Sequence, residues 1–187
     1  MPNAVRHQTI WLPTGSPDST NITSDDFNAL GGQPGSLGQA FDYEDRVYQR
    51  VRHDSGATSA TAVGVVAANM VAYWKDKNLY IVTNDRAQAI GGSATNSYAN
   101  FVAGIYRNAA TAGRYIDILK KGDNIPCADG GNTFAVGEMV FAELAAAAAV
   151  DRVAVGADVV YQRIGIARGA ASGGNVNVDV DIDIMHQ

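Results

Sequence analysis

Apolar and polar side chains alternate through FDYEDRVYQRVRH, residues 41–53. This period of two predicts a strand with Tyr43, Val47, Tyr48 and Val51 turned inward around a bulge. Residues 54–62, DSGATSATA, are small and polar, and the VGVVAANMVAYW that follows is rich in β-branched and aromatic residues. That composition predicts a second strand over 63–74, a turn at Lys75-Asp76-Lys77-Asn78 and a third strand in LYIVTN. Residues 1–40 fit neither the strand nor the helix period: Pro, Gly, Ser, Thr, Asn and Asp surround isolated apolar residues at Ile10, Trp11, Leu12, Phe27, Leu30 and Leu37. A lone tryptophan is costly unless something covers it, which favours an extended arm with spaced anchors over a loose tail.

The pattern also recurs. Residues 104–113 are GIYRNAATAG and residues 165–174 are GIARGAASGG, with Gly, Ile, Arg, Ala, Ala and Gly in the same places. Each copy follows a short apolar strand and precedes an alternating one, RYIDIL and NVNVDVDIDI, while NMVAYW at 69–74 answers EMVFAE at 138–143. A duplicated unit accounts for this shared order. The Gly and Pro signals of KKGDNIPCADGGN, residues 120–132, mark a boundary between the copies. The expected organisation is an arm over 1–40, a first β module over 41–121 and a second over 122–187. Each module is too small to bury its apolar face alone, so the two should pack as a barrel-like or sandwich-like body that is mostly β. Five consecutive alanines at 145–149 favour helix but are too few for an autonomous one, and predict a helical turn or surface loop.

Composition excludes more than it selects. Hydrophobic residues at 47% and charged residues at 18% belong to a folded chain with a real core. The net charge of -5, with basic residues scattered, argues against nucleic acid as a partner. No run reaches the roughly 18 apolar residues that span a bilayer, and no signal-peptide pattern opens the chain, so no membrane role is expected. The single Cys127 leaves the fold without an internal disulfide.

Candidate chemistry is sparse. His7, His53 and His186 lie far apart, and neither a metal-ligand spacing nor a nucleophile elbow, phosphate loop or dinucleotide fingerprint is present. No enzyme activity, cofactor or metal is expected, and Cys127 is expected as a small buried thiol. The C-terminal VDVDIDI places Asp179, Asp181 and Asp183 on one strand face and Val178, Val180 and Ile182 on the other. That acidic ladder is a solvated, self-repelling outer face, a docking surface for basic side chains or a calcium site, the last disfavoured because ligands two residues apart on a flat strand do not wrap a cation. Tyr73, Trp74, Tyr80 and Tyr98 fill a core or an interface, or form a stacking platform for glycans.

The stretches DSGATSATAVGVVAANMVAYWKDKNLYIVTND, FVAGIYRNAATAGRYIDIL, and FAVGEMVFAELAAAAAVDRVAV with IGIARGAASGGNVNVDVDI resemble the small head decoration, or cement, proteins of tailed bacteriophages. The resemblance covers residues 45–187 and rests on a V-A-G-I strand, an N-A-A-T-A-G turn and the V-G-E-M-V that opens the second unit. It implies a β-rich structural protein on the outer capsid surface, made in the host cytoplasm during assembly, that cements the shell by bridging neighbouring major capsid proteins. It also implies a homo-oligomer, a trimer first, with dimer and monomer open. The residues available for partner contact are then Trp11, Leu12, Phe27 and Leu30 of the arm and Asp179, Asp181 and Asp183 of the ladder. The alternative is a glycan-binding or fibre-associated β module on the virion surface.

Overall fold

The computed structural model describes residues 37–38, 40–43, 45–54, 66–85, 88–90, 102–110, 112–142, 149–152 and 163–182. Among them the fold is mostly β, with no helix and ten strands. In chain order these are β1 (Ala40–Tyr43), β2 (Arg46–His53), β3 (Val71–Asp76), β4 (Ile81–Thr83), β5 (Val102–Tyr106), β6 (Tyr115–Ala128), β7 (Met139–Ala142), β8 (Val150–Arg152), β9 (Arg163–Ala167) and β10 (Asn175–Asp181). Strands β2, β4, β3, β5 and β6 pair in that order, and β6 returns to β2, closing a five-stranded barrel. Beyond Lys121 the long β6 leaves β2 behind and pairs with β10, which continues into β9, β7 and β8 as a second sheet.

Two cores correspond to the two faces of this sheet. The smaller draws on all five barrel strands, with Val51, Ala72, Trp74, Val82, Ala103, Tyr106, Ile116 and Ile118, and fills the barrel. The larger takes the opposite faces of barrel strands, at Tyr48, Tyr73, Ile105 and Leu119, and joins them to Val140, Val150, Ile164, Val176, Val178 and Val180 of the second sheet. The alternation that predicted β10 is therefore real: Val178, Val180 and Ile182 are buried, while Asp181 is exposed.

The two halves share their pairing in detail. Ala72 faces Gly104, and the register then skips Ala103 so that Tyr73 faces Val102. Val140 faces Gly165, and the register skips Ile164 so that Phe141 faces Arg163. On the next strand Trp74 faces Val82, as Ala142 faces Val150. The order β4-β3-β5-β6 is thus matched by β8-β7-β9-β10, and the two sets join edge to edge through β6 and β10. The glycines have a common cause. A Cβ at Gly104 would stand 2.7 Å from the Leu119 carbonyl oxygen, and one at Gly165 would overlap the Asp179 carbonyl oxygen, so the bulge draws the neighbouring backbone in too close for any side chain.

Several expectations need correction. The strand expected over 41–53 is a hairpin, with Tyr43 paired to Arg46 and Asp45 at φ 60° in the turn. Tyr48 and Val51 are both fully buried but three residues apart, so they enter different cores. The strand expected from residue 63 begins at Val71, because Asn69 takes φ 70°. The boundary expected at 120–132 is strand as far as Ala128. Its proline is tolerated because the Ala128 N–H, two residues on, bonds to Asn69 rather than to β10. The N–H that Pro126 lacks would have pointed the same way, off the ladder with β10. Of the alanine run only Ala149 lies within the described residues, next to β8.

Asn69 binds the halves together. Its carbonyl accepts the Ala128 N–H, its own N–H reaches the Tyr106 carbonyl, its Oδ1 accepts from Arg107 Nη1 and its Nδ2 donates to Asn175 Oδ1. Asparagine also tolerates the left-handed backbone there. Replacement by alanine is expected to cost roughly 2 kcal/mol, from strain and two lost side-chain bonds, read as a lower urea midpoint.

Candidate partner-binding surfaces

The chain just before β1 is fastened to the barrel at Gly38. Gly38, at φ 79°, donates its N–H to the Arg50 carbonyl at 2.8 Å, and its own carbonyl accepts from Gln49 Nε2 at 2.8 Å. The Tyr80 ring lies so close over Gly38 that a Cβ would collide with it. The chain therefore enters β1 from a fixed point on the barrel edge. Trp11, Leu12, Phe27 and Leu30 lie outside the described residues, as do Tyr98, His7, His186 and Asp183.

The acidic ladder is not the free row the sequence suggested. Opposite Asp179 the partner strand holds two residues, because Val178 faces Ile125 while Val180 faces Gly122. Asn124 absorbs the extra length at φ 54°, and its N–H donates to Asp179 Oδ1 at 3.0 Å. Arg168 Nε reaches both Asp179 oxygens, at 2.6 and 2.7 Å, and Arg168 lies 3.9 Å from Asp123. The bond from Arg168 and the Asn124 amide hold the Asp179 carboxyl below its ordinary pKa. Asp179 thus clamps a bulge and is already supplied with a cation, while Asp181 is exposed to solvent. Asp179→Asn is expected to speed hydrogen exchange at the Asn124 amide while leaving the remote barrel amides protected.

The described members of the aromatic cluster, Tyr73, Trp74 and Tyr80, do not form a platform. Tyr73 and Trp74 are neighbours on β3 and point to opposite faces, 0% and 4% exposed, one in each core. Tyr80 meets Trp74 edge to face, with ring centroids 6.5 Å apart. Lys120 lies buried at the point where β2 skips a residue of β6, donates to the Ala103 carbonyl at 2.6 Å and sets its ammonium 5.8 Å from the Trp74 ring centre.

The buried ionisable groups are engaged in the fold. Arg50 and Asp117 face each other across β2 and β6 and form a two-pronged ion pair at 3.0 and 3.1 Å. Cys127 lies in the larger core, its thiol pushed up to about 12 by burial, as expected of a structural cysteine. His53 is fully buried, with Nδ1 2.9 Å from the Tyr106 hydroxyl and Nε2 without a hydrogen-bond partner among the described residues. Burial lowers its pKa to about 4, against a smaller opposing pull from Asp54. Between pH 4 and 6.5 the unfolded chain then holds more protons at this site than the folded one, so stability falls as pH is lowered through that window. His53→Gln is expected to flatten that part of the stability profile, measured by urea titrations between pH 4 and 7. Among the described residues no group of three or more His, Cys, Asp or Glu is placed to hold a metal ion, and no helix is long and apolar enough to cross a membrane.

One surface was missed by the sequence reading. Met139 on β7 and Ile166 on β9 are direct cross-strand partners, 57% and 42% exposed, and Val136 just before β7 is 76% exposed. Met139 and Ile166 are apolar positions of the matched stretches 138–143 and 165–174, but nothing in the pattern told which face would be covered.

No protein-family model matches the sequence, and no curated protein matches it. A solved structure described as the head fiber gp8.5 N base in bacteriophage phi29 is similar to 73% of this chain and 97% of its own, at 12% identity and a TM-score of 0.40.

Proposed function

We propose that this chain is a structural protein of a tailed-phage virion, a decoration protein that binds the outside of the capsid and braces neighbouring major capsid subunits. The observation that carries the reading is the fixed root at Gly38, which fastens the chain to the β body just after the anchor-bearing sequence of residues 1–36. A rooted arm lets each body hold a neighbour without remodelling itself. The resemblance of residues 45–187 to head decoration proteins supports the same reading, as does the engagement of Arg50, Asp117, Cys127 and Asp179 within the fold. A subunit that binds only the assembled shell stabilises it by mass action, and many weak contacts add through multivalency. Partner contacts are assigned to Trp11, Leu12, Phe27 and Leu30, with Asp181 and Asp183 subsidiary.

The test is co-sedimentation of purified protein with expanded capsids that lack it, beside a form without residues 1–36. The proposal expects the full chain to pellet with capsids and the shortened form to bind at least tenfold more weakly. Failure of both to bind would sink the capsid reading and direct attention to a fibre-associated role.

A further inference from the structure

The paired halves allow each surface of the second unit to be compared with its counterpart in the first. One register step from the Ala72–Gly104 pair stands Val71 opposite Ile105, and one step from the Val140–Gly165 pair stands Met139 opposite Ile166. Val71 and Ile105 are 0% exposed and belong to the larger core, which the second sheet completes. In the first unit this position is an interface with another unit of like build. In the second unit the same position remains apolar, at Met139 and Ile166, yet is open to solvent, and Val136 extends the apolar area.

Asp179 stands opposite Ile166 in the β9–β10 ladder, and its charge is already balanced within the chain by Arg168 at 2.6 Å. An apolar centre beside a balanced ion pair suits a second copy: a copy turned about a two-fold axis places apolar on apolar, as the like unit does over Val71 and Ile105.

We propose that the Met139–Ile166 face, with Val136, is a docking surface for a second copy of this chain, the two meeting face to face. The area at its centre is small beside the roughly 800 Å² per partner of a standard interface, which makes the free pair weak and its formation dependent on concentration. On a capsid, where copies are held close together, such a contact would link neighbouring bodies; this use rests on the proposed function, but the contact itself does not.

The test is sedimentation equilibrium of the full chain from micromolar to millimolar concentration, beside the double variant Met139→Glu/Ile166→Asp and the single variant Val136→Glu. Near-ultraviolet circular dichroism checks that each variant is folded, and Val136→Glu, outside the strands, serves if the double variant does not fold. The proposal expects the wild type to shift toward dimer and the variants to dissociate at least tenfold more readily. A wild type that stays monomeric throughout, variants that associate as it does, or an assembly of odd order lost in the variants would overturn face-to-face pairing. Capsid binding by the monomeric variants is measured separately, so loss of pairing and loss of capsid binding are distinguishable.

Discussion

Gly165→Ala is expected to lower stability by roughly 3 kcal/mol, at the upper end of the usual cost of overpacking. The added methyl would overlap the Asp179 carbonyl oxygen, approach the Asp179 carbonyl carbon at 2.8 Å and meet Val178 Cγ1 at 2.8 Å. Two of these three atoms are backbone held in the β9–β10 ladder, so relief requires β10 to move. Movement of β10 also strains the Asp179 clamp on the Asn124 bulge. For a chain of this length the loss corresponds to a melting point roughly 9 °C lower. Gly104→Ala is the internal control. Its methyl would meet the Leu119 oxygen at 2.7 Å, the flexible Ile118 Cδ1 at 2.9 Å and Ile118 Cβ at 3.0 Å, a milder set of contacts, so the same direction with a smaller loss is expected.

Asp117→Ala is expected to cost about 3–5 kcal/mol, because it strands the Arg50 guanidinium in a site where the two side chains are only 4% and 2% exposed. The pair itself adds much less than that figure, since burying two charges offsets most of their attraction. Arg50→Met combined with Asp117→Leu should therefore recover most of the stability lost by Asp117→Ala alone. Urea unfolding of the three proteins separates these cases. A double variant no more stable than the single one would show that the pair is needed for the fold and not merely tolerated.

What the sequence disclosed, and what it withheld, follows from the range of the interactions. The alternation in NVNVDVDIDI located β10 and assigned its faces, because burial on one side is a local pattern. The Gly-Ile pattern placed β5 and β9 at matching points of the sheet, because each glycine is required by the backbone of its own neighbouring strand, β6 at Leu119 and β10 at Asp179. A barrel-like body was among the expectations, but which strands close it was not legible. Closure depends on β6 pairing with β2 across about 70 residues and then exchanging that partner for β10, and a strand of 14 residues with two partners in series leaves no mark in a local pattern. The same exchange explains why the Gly and Pro signals of residues 120–132 read as a boundary where the strand runs on to Ala128. Asp179 was noticed for its charge, but its role as a clamp depends on the Asn124 bulge in another strand. The exposure of Met139 and Ile166 was not legible either: the match of NMVAYW to EMVFAE sets Met139 beside Met70, one residue off the strand register that sets it beside buried Val71, and an apolar pattern does not record which face is covered.

The most direct test of the central claim is the temperature at which expanded capsids open, measured by dye access to packaged DNA, with and without saturating amounts of this protein. The account predicts that the full chain raises the opening temperature and that the form lacking residues 1–36 does not at equal concentration. Capsids that open at the same temperature whether or not the full chain is bound would contradict bracing as its function.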